Sequence, residues 1–395
     1  GPGLNRTILP KGFSASGVNC GVRRYRPDLG ILISDVPAVA AGVFTLNECK
    51  AAPVVHSQKL LPADNIRAII TNSGQANAAT GEEGFKNNQL MLQGTAEALG
   101  CNVNQVLVAS TGVIGAQLAI DKILPALPEL VDRANETAES FALAILTTDL
   151  VPKTVTTSVV LSGGEIRITG ICKGSGMIHP NMATMLGYIL TDAQITKDMA
   201  ADVLKKATDI SFNMISVDGD SSTNDCVFLM ANGESKVQIK TDEDYALFKK
   251  AVNDISIFLA KSIAADGEGA TKLIEVNLKG APEMEMAKKA ARGVTLSPLI
   301  KTAIHGEDPN WGRILARLGA EKVPQVCLDQ MSLTLQGIKL FENGQPVDFS
   351  KDEVRALLKQ SKVNIEIDLK SGPNDVTAWG CDLSKKYVEI NTEYS

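Results

Sequence analysis

Short apolar runs bounded by Gly, Asn and Pro alternate along this chain with longer segments whose apolar residues recur every three to four positions. That mixture predicts an α/β protein. The strand-like runs are Ile31–Val36, Ala41–Thr45, Arg67–Thr71 and Gln105–Ser110, with a buried run opening at Thr184 and continuing to Leu190. Two further runs, Thr154–Leu161 and Glu165–Cys172, are split by Ser162-Gly163-Gly164 and predict a hairpin. Helical spacing predicts helices over Gly84–Leu99, from near Ala119, and over Glu136–Leu146, Thr196–Phe212, Asp242–Ala265 and Glu283–Arg292. His305–Arg313 reads as a capped helix start. From Val323 onward strands dominate (Val326–Leu328, Ser332–Ile338, Val363–Leu369, Val376–Leu383, Tyr387–Asn391). One helix, Lys351–Leu358, interrupts them behind the capping box Ser350-x-x-Glu353. A smaller C-terminal α/β unit, from about residue 282, is expected.

Composition narrows the function classes. The 395 residues suffice for two to three domains and a large core. A net charge of −6 and 4% aromatics disfavour a nucleic-acid surface, which needs cations and stacking platforms. No apolar run reaches the roughly 18 residues of a membrane span. The seven scattered cysteines, none in a C-x-x-C pair, suit reduced thiols in the cytoplasm and disfavour a zinc site. Small molecules or protein partners remain. The opening Gly1-Pro2-Gly3 reads as the remnant of a cleaved tag and is set aside.

The stretch Lys173-Gly174-Ser175-Gly176-Met177-Ile178-His179-Pro180-Asn181-Met182-Ala183-Thr184-Met185-Leu186 departs most from ordinary structure. Its glycines and proline exclude a helix, and its second half runs straight into a buried strand. Such a loop is commonly a turn, and a threonine opening a strand is commonly β-branched filler. It also has a chemical reading. Cutting the Ala183–Thr184 bond would leave Thr184 with a free α-amine of unperturbed pKa about 7.7–8, beside the hydroxyl that it must deprotonate. A phosphate-binding loop is disfavoured, because the lysine precedes the glycines and neither G-x-x-x-x-G-K-[ST] nor G-x-G-x-x-G occurs.

Other polar segments carry two readings each. Asn72-Ser73-Gly74-Gln75-Ala76-Asn77, after a strand, is either a site loop or an Asn/Gly turn. Thr111-Gly112-Val113-Ile114-Gly115 is a plain strand–helix turn or a set of N–H groups aimed at an oxyanion. Thr147-Thr148-Asp149 is a helix stop or a substrate contact. The loop Ser216–Asp225 lacks the glycine and glutamate of a calcium loop and reads as a hydrogen-bonded wall folded against the site. Glu268, between two glycines, is a solvated turn residue or a carboxylate for an amine. The chain has three histidines, His56, His179 and His305, and no G-x-S-x-G elbow, so a histidine-based triad is disfavoured.

Taken in full, Lys173–Leu186 resembles the cleavage segment of the ornithine acetyltransferases, also called arginine-biosynthesis bifunctional proteins. Five segments follow the family order, 72–77, 110–115, 173–186, 266–272 and 387–394, so the resemblance spans essentially the whole chain. It implies a layered αββα fold of the N-terminal-nucleophile-like kind shared with the DmpA aminopeptidases, plus the smaller C-terminal α/β domain. It implies self-cleavage into an α chain (1–183) and a β chain (184–395), assembled as an α2β2 heterotetramer. Thr184 would be the nucleophile, Thr111 and Gly112 the oxyanion hole, and Thr147, Lys173, Glu268 and Asn391 substrate contacts. The expected reaction moves acetyl from N-acetylornithine to glutamate through acetyl-threonine, without metal or bound cofactor; acetyl-CoA is a further donor in some members. Members of the family it resembles commonly end in two hydroxyl residues after the tyrosine, whereas this chain has only Ser395, which is left unassigned. Two rivals are a related self-processing amidohydrolase and a non-catalytic protein whose Lys173–Gly176 loop grips an anion.

Overall fold

The computed structural model describes residues 6–149, 151–175, 185–215, 222–266 and 270–382. They form two units, the first from 6–149, 151–174, 185–208 and 222–259, the second from 175, 209–215, 260–266 and 270–382. In chain order the elements up to residue 265 are β1 (Phe13–Val18), β2 (Leu29–Phe44), α1 (Ala52–Leu60), β3 (Ala63–Gln75), α2 (Gly81–Leu99), β4 (Val106–Val113), α3 (Ile120–Asp132), α4 (Glu139–Ala144), β5 (Lys153–Leu161), β6 (Gly164–Gly174), β7 (Met185–Thr191), α5 (Lys197–Ile210), β8 (Cys226–Ala231) and α6 (Asp242–Ala265). The rest are β9 (Leu273–Ala281), α7 (Met284–Leu296), α8 (Pro298–His305), α9 (Trp311–Ala320), α10 (Gln325–Leu328), β10 (Ser332–Leu335), β11 (Ile338–Glu342), β12 (Gln345–Pro346), α11 (Lys351–Leu357), β13 (Lys362–Asp368) and β14 (Asn374–Cys381).

In the first unit the strands run β4-β3-β2-β8-β7-β6-β5, with β1 added to β2. The long strand β2 makes this ladder two-layered. Its first half, Leu29–Ser34, pairs with β1, and its second half, Val39–Phe44, pairs with β8. Between them its register against β3 slips at Ile33/Ala38 and Ala38/Ala40, irregularities of the kind that bend a strand. The sheet turns back on itself there, so that β3 and β4 face β6 and β7. Across the gap Thr71 Oγ1 lies 2.7 Å from Tyr188 Oη, and Phe141 of α4 packs edge-on to Tyr188 with ring centroids 5.0 Å apart. Alternate residues of both layers close one core: Leu32, Ile69, Leu107, Ile171, Leu186, Tyr188, Leu190 and Phe228. The other face of the first layer buries Ile31, Ile70, Val106 and Val108 against Met91 and Leu92 of α2 and Ile123 and Leu127 of α3. Behind the second layer a Cβ on Gly170 would stand 2.7 Å from Ile255 and 2.8 Å from Leu259, so α6 lies directly on β6. Helix, sheet, sheet, helix is the layering expected.

The second unit has a six-stranded mixed sheet, β12-β11-β10-β13-β9-β14. It contains the parallel pair β9–β13, where Ile274, Val276 and Leu278 pair with Val363, Ile365 and Ile367, all buried. Helix α7 covers β9 and β14 with Ala287, Ala290, Ala291 and Val294, small residues that permit close approach. Four expectations need correction, the first being Ser332–Ile338, which is not one strand but β10, a turn at Gln336-Gly337 and the start of its hairpin partner β11. Ile31–Val36 and Ala41–Thr45 are one strand, because the bend interrupts the apolar pattern without ending the pairing. Val326–Leu328 lies in the helical turn α10, since Pro324 sets its N-terminus and three apolar residues carry no decisive period. His305–Arg313 is the end of α8 and, after a turn, the start of α9, capped by the Asn310 side chain.

Candidate active site

The penultimate residue of β6 carries a charge into the space between the layers. Lys173 is 1% exposed, on the same face as Ile171. Its Nζ donates to Thr147 Oγ1 at 2.9 Å and to Thr111 Oγ1 at 3.1 Å. Thr111 lies in the fully buried run Val106–Gly112 of β4, and Thr147 follows α4. The turn behind α4 is held from several sides. Ser73 Oγ donates to the Ala144 carbonyl (2.7 Å), Arg23 to the Leu146 and Thr147 carbonyls, and Arg26 to Thr147 O at 3.3 Å. Cations and hydroxyls at the last carbonyls of a short helix supply the partners its own backbone lacks.

Asp149 answers the lysine. It accepts from Lys153 Nζ at 2.9 Å, from the Gly174 N–H at 2.7 Å and from the Thr147 N–H at 3.3 Å, with Lys173 Nζ 3.9 Å away. Burial alone would raise this carboxyl, but the Lys173 and Lys153 ammoniums and the Gly174 N–H outweigh it and hold it at about 2. Burial pushes Lys173 down, Asp149 and Asp225 offset part of that, and Lys153 adds to it. The result is a buried Lys173 Nζ held between two hydroxyls and Asp149, an arrangement that can stabilise negative charge developing beside it.

The opening of β8 completes the polar shell. Asp225 Oδ1 accepts the Met185 N–H at 3.1 Å, one residue beyond Thr184 in sequence. Asn224 Nδ2 donates to Ala76 O (2.6 Å) and Ser110 O (2.9 Å), and Ser110 Oγ donates to Asn72 Oδ1 (2.5 Å). Next to Thr111, Gly112 has φ +123°, and a Cβ there would lie 2.2 Å from the Gly74 carbonyl carbon. Only glycine fits there, and Thr111–Val113 is not the turn expected but the end of β4, still paired with β3.

The model of the ArgJ family matches residues 14–395. The chain belongs to the ArgJ family. The Thermotoga neapolitana protein named Arginine biosynthesis bifunctional protein ArgJ is 47% identical over 396 residues, 98% of this chain and 99% of that one. Its namesake in Chlorobaculum tepidum is 44% identical over 396 residues, 100% of this chain and 98% of that one. The crystal structure of the arginine biosynthesis bifunctional protein ArgJ of Bacillus halodurans superposes with a TM-score of 0.51 at 42% identity, covering 53% of this chain and 100% of that one.

In this ArgJ-family chain the structure thus brings Thr111, Gly112, Thr147 and Lys173 of the expected residues together. Thr184, Glu268 and Asn391, like Ser395, lie outside the described residues. Asn72–Gln75 is not a loop but the end of β3, whose polar side chains turn inward to hydrogen-bond neighbouring segments. Of the 216–225 loop only Ser222–Asp225 is described, and its Asn224 side chain bonds Ala76, just past β3, and Ser110 of β4. Sequence reasoning missed Arg23, Arg26 and Lys153, and it singled out the segments holding Asp149 and Asp225 without naming those carboxylates. Asp149 and Lys153, four residues apart beside Pro152, and Asp225, closing a dense polar loop, gave a local signal, whereas Arg23 and Arg26 gave none.

Proposed function

We propose that this chain is a self-cleaving acetyltransferase of arginine biosynthesis, moving acetyl from N-acetylornithine to glutamate. The observation that carries the reading is the family match across residues 14–395, with Lys173 bonded to both Thr111 and Thr147 inside the matched span. Thr184 Oγ attacks the Ala183 carbonyl, the peptide C–N bond breaks and frees the Thr184 amine, and water then hydrolyses the resulting ester, leaving the Ala183 carboxylate and the free Thr184 hydroxyl. That amine then takes the hydroxyl proton as Oγ attacks the acetyl carbonyl of the donor. The oxyanion is met by Thr111 and Gly112, with the Lys173 charge close by. The proton passes to the leaving amine, ornithine departs, and the glutamate amine takes the acetyl group from the threonine ester. Glu268 pairs with the substrate cation, while Thr147 and Asn391 complete the substrate contacts. The scheme calls for no metal or bound cofactor. Chains 1–183 and 184–395 assemble as α2β2 in the cytoplasm, and acetyl-CoA is a candidate second donor. Among the described residues no helix is long and apolar enough to cross a membrane.

The test is the intact denatured mass of the protein beside that of Thr184→Ala, followed by assay of acetyl transfer to glutamate. Two fragments meeting at Ala183/Thr184, an uncut variant and acetylated glutamate are expected. An uncut wild-type chain refutes the mechanism; a cut chain that hydrolyses peptides and acetylates no glutamate favours the amidohydrolase.

A further inference from the structure

The second unit buries a carboxylate that the scheme above leaves unused. Asp382, just past β14, has a side chain with 0% exposure. It accepts from the Thr271 N–H (2.8 Å), the Lys272 N–H (2.9 Å) and the Thr271 hydroxyl (2.5 Å), and lies 2.6 Å from His305 Nδ1. Its own N–H donates to Lys272 O at 3.2 Å. Lys272 Nζ then donates to the Ile304 and His305 carbonyls (2.9 and 3.4 Å) at the end of α8. One carboxylate therefore ties together the approach to β9, the end of α8 and the end of β14.

The cluster contains Thr, His and Asp but is not a nucleophilic triad. In a relay the nucleophile meets one ring nitrogen and the carboxylate the other. Here Thr271 Oγ1 (3.3 Å) and Asp382 both meet Nδ1 of His305, so the ring cannot pass a proton between them in that way. A buried carboxylate with three donors and an imidazole is instead a rigid anchor. Its place in the chain gives it a use. Thr271 follows Glu268 by three residues, and Asp382 precedes Asn391 by nine.

We propose that Asp382 is a positioning residue for acetyl transfer, pinning the Thr271–Lys272 end of the Glu268 segment and the root of the Asn391 tail to the same point beside His305. The proposal rests on the acetyl-transfer reading above, in which Glu268 and Asn391 hold substrate. It separates two readouts. Self-cleavage at Ala183–Thr184 does not need the anchor, whereas productive binding of the donor does.

The experiment measures cleavage and steady-state kinetics with N-acetylornithine and glutamate for the wild type, Asp382→Ala, Thr271→Val and Thr271→Ser. In Asp382→Ala we expect complete cleavage and a KM for N-acetylornithine raised about tenfold or more, with kcat changed far less. Thr271→Val raises KM by a smaller factor, and Thr271→Ser, which keeps the hydroxyl, restores the wild-type value. Should Asp382→Ala be insoluble, the Thr271 pair decides. A KM within twofold of wild type in the soluble variants, or a fall in kcat with KM unmoved, overturns the proposal while leaving the reaction standing. A wild-type chain that neither cuts nor transfers acetyl overturns both.

Discussion

A lysine ammonium withheld from water is tolerated only while something answers its charge. Asp149 does so for Lys173 and Lys153 together, which makes it the residue on which the electrostatics of the site depend. Its folded pKa, near 2, lies below the ordinary 3.8, so the ionised form is favoured by the fold. The stability it contributes is fully present above pH about 4 and is lost as pH falls toward 2, about 2 kcal/mol in all. A thermal-unfolding series from pH 6 to 2 on wild type and Asp149→Asn should therefore show a gap that narrows below pH about 4; a constant gap contradicts this account. Lys173→Met keeps the volume and removes the charge, and should lower kcat/KM for acetyl transfer by about 10²–10³-fold. Retention of a tenth of the activity would mean that the ammonium is not stabilising the reacting charge. Asp225→Ala removes the acceptor that holds the Met185 N–H and should slow self-cleavage about tenfold, with Asp225→Asn intermediate. A time course of chain cutting on gels measures this, and equal rates in all three proteins would refute it.

Strand β4 stays paired with β3 past Thr111 only because Gly112, without a Cβ, can lie against Gly74. Gly112→Ala would force a Cβ to 2.2 Å from the Gly74 carbonyl carbon at a φ of +123°, so the end of β4 must move. We expect loss of cleavage out of proportion to any fall in Tm, because the displaced atoms border the site; a variant that cuts at the wild-type rate shows that the strand tolerates the shift. Elements with a strong local period could be read directly. Helix α6 spans the expected Asp242–Ala265, and β5 and β6 form the expected hairpin. Strands β1 and β8 and helix α1 escaped. Phe13–Val18 mixes small and polar residues, Cys226–Ala231 is apolar throughout, and Ala52–Leu60 has almost no amphipathic face. The site divides along the same line. Lys173, Thr111 and Thr147 stand in recognisable local motifs, whereas Arg23 reaches the Thr147 carbonyl across 124 positions and nothing near it announces that partner.

Among the described residues the candidate site is collected from positions 23 to 225, spread over both layers of the first unit. Residues 175–184 link β6 to β7, and these strands are antiparallel neighbours paired from Ile168↔Thr191 to Gly174↔Met185. A cut at Ala183–Thr184 therefore severs a connection whose two ends the sheet still clasps. Before the cut, unfolding can be reversed by one chain acting alone. After it, recovery from denaturant becomes the meeting of two separate polypeptides, with a yield that rises with protein concentration. The Thr184→Ala chain should refold at a rate independent of dilution, and the processed protein should not. Processing would thus convert a reversible fold into one defended chiefly by the slowness of its unfolding.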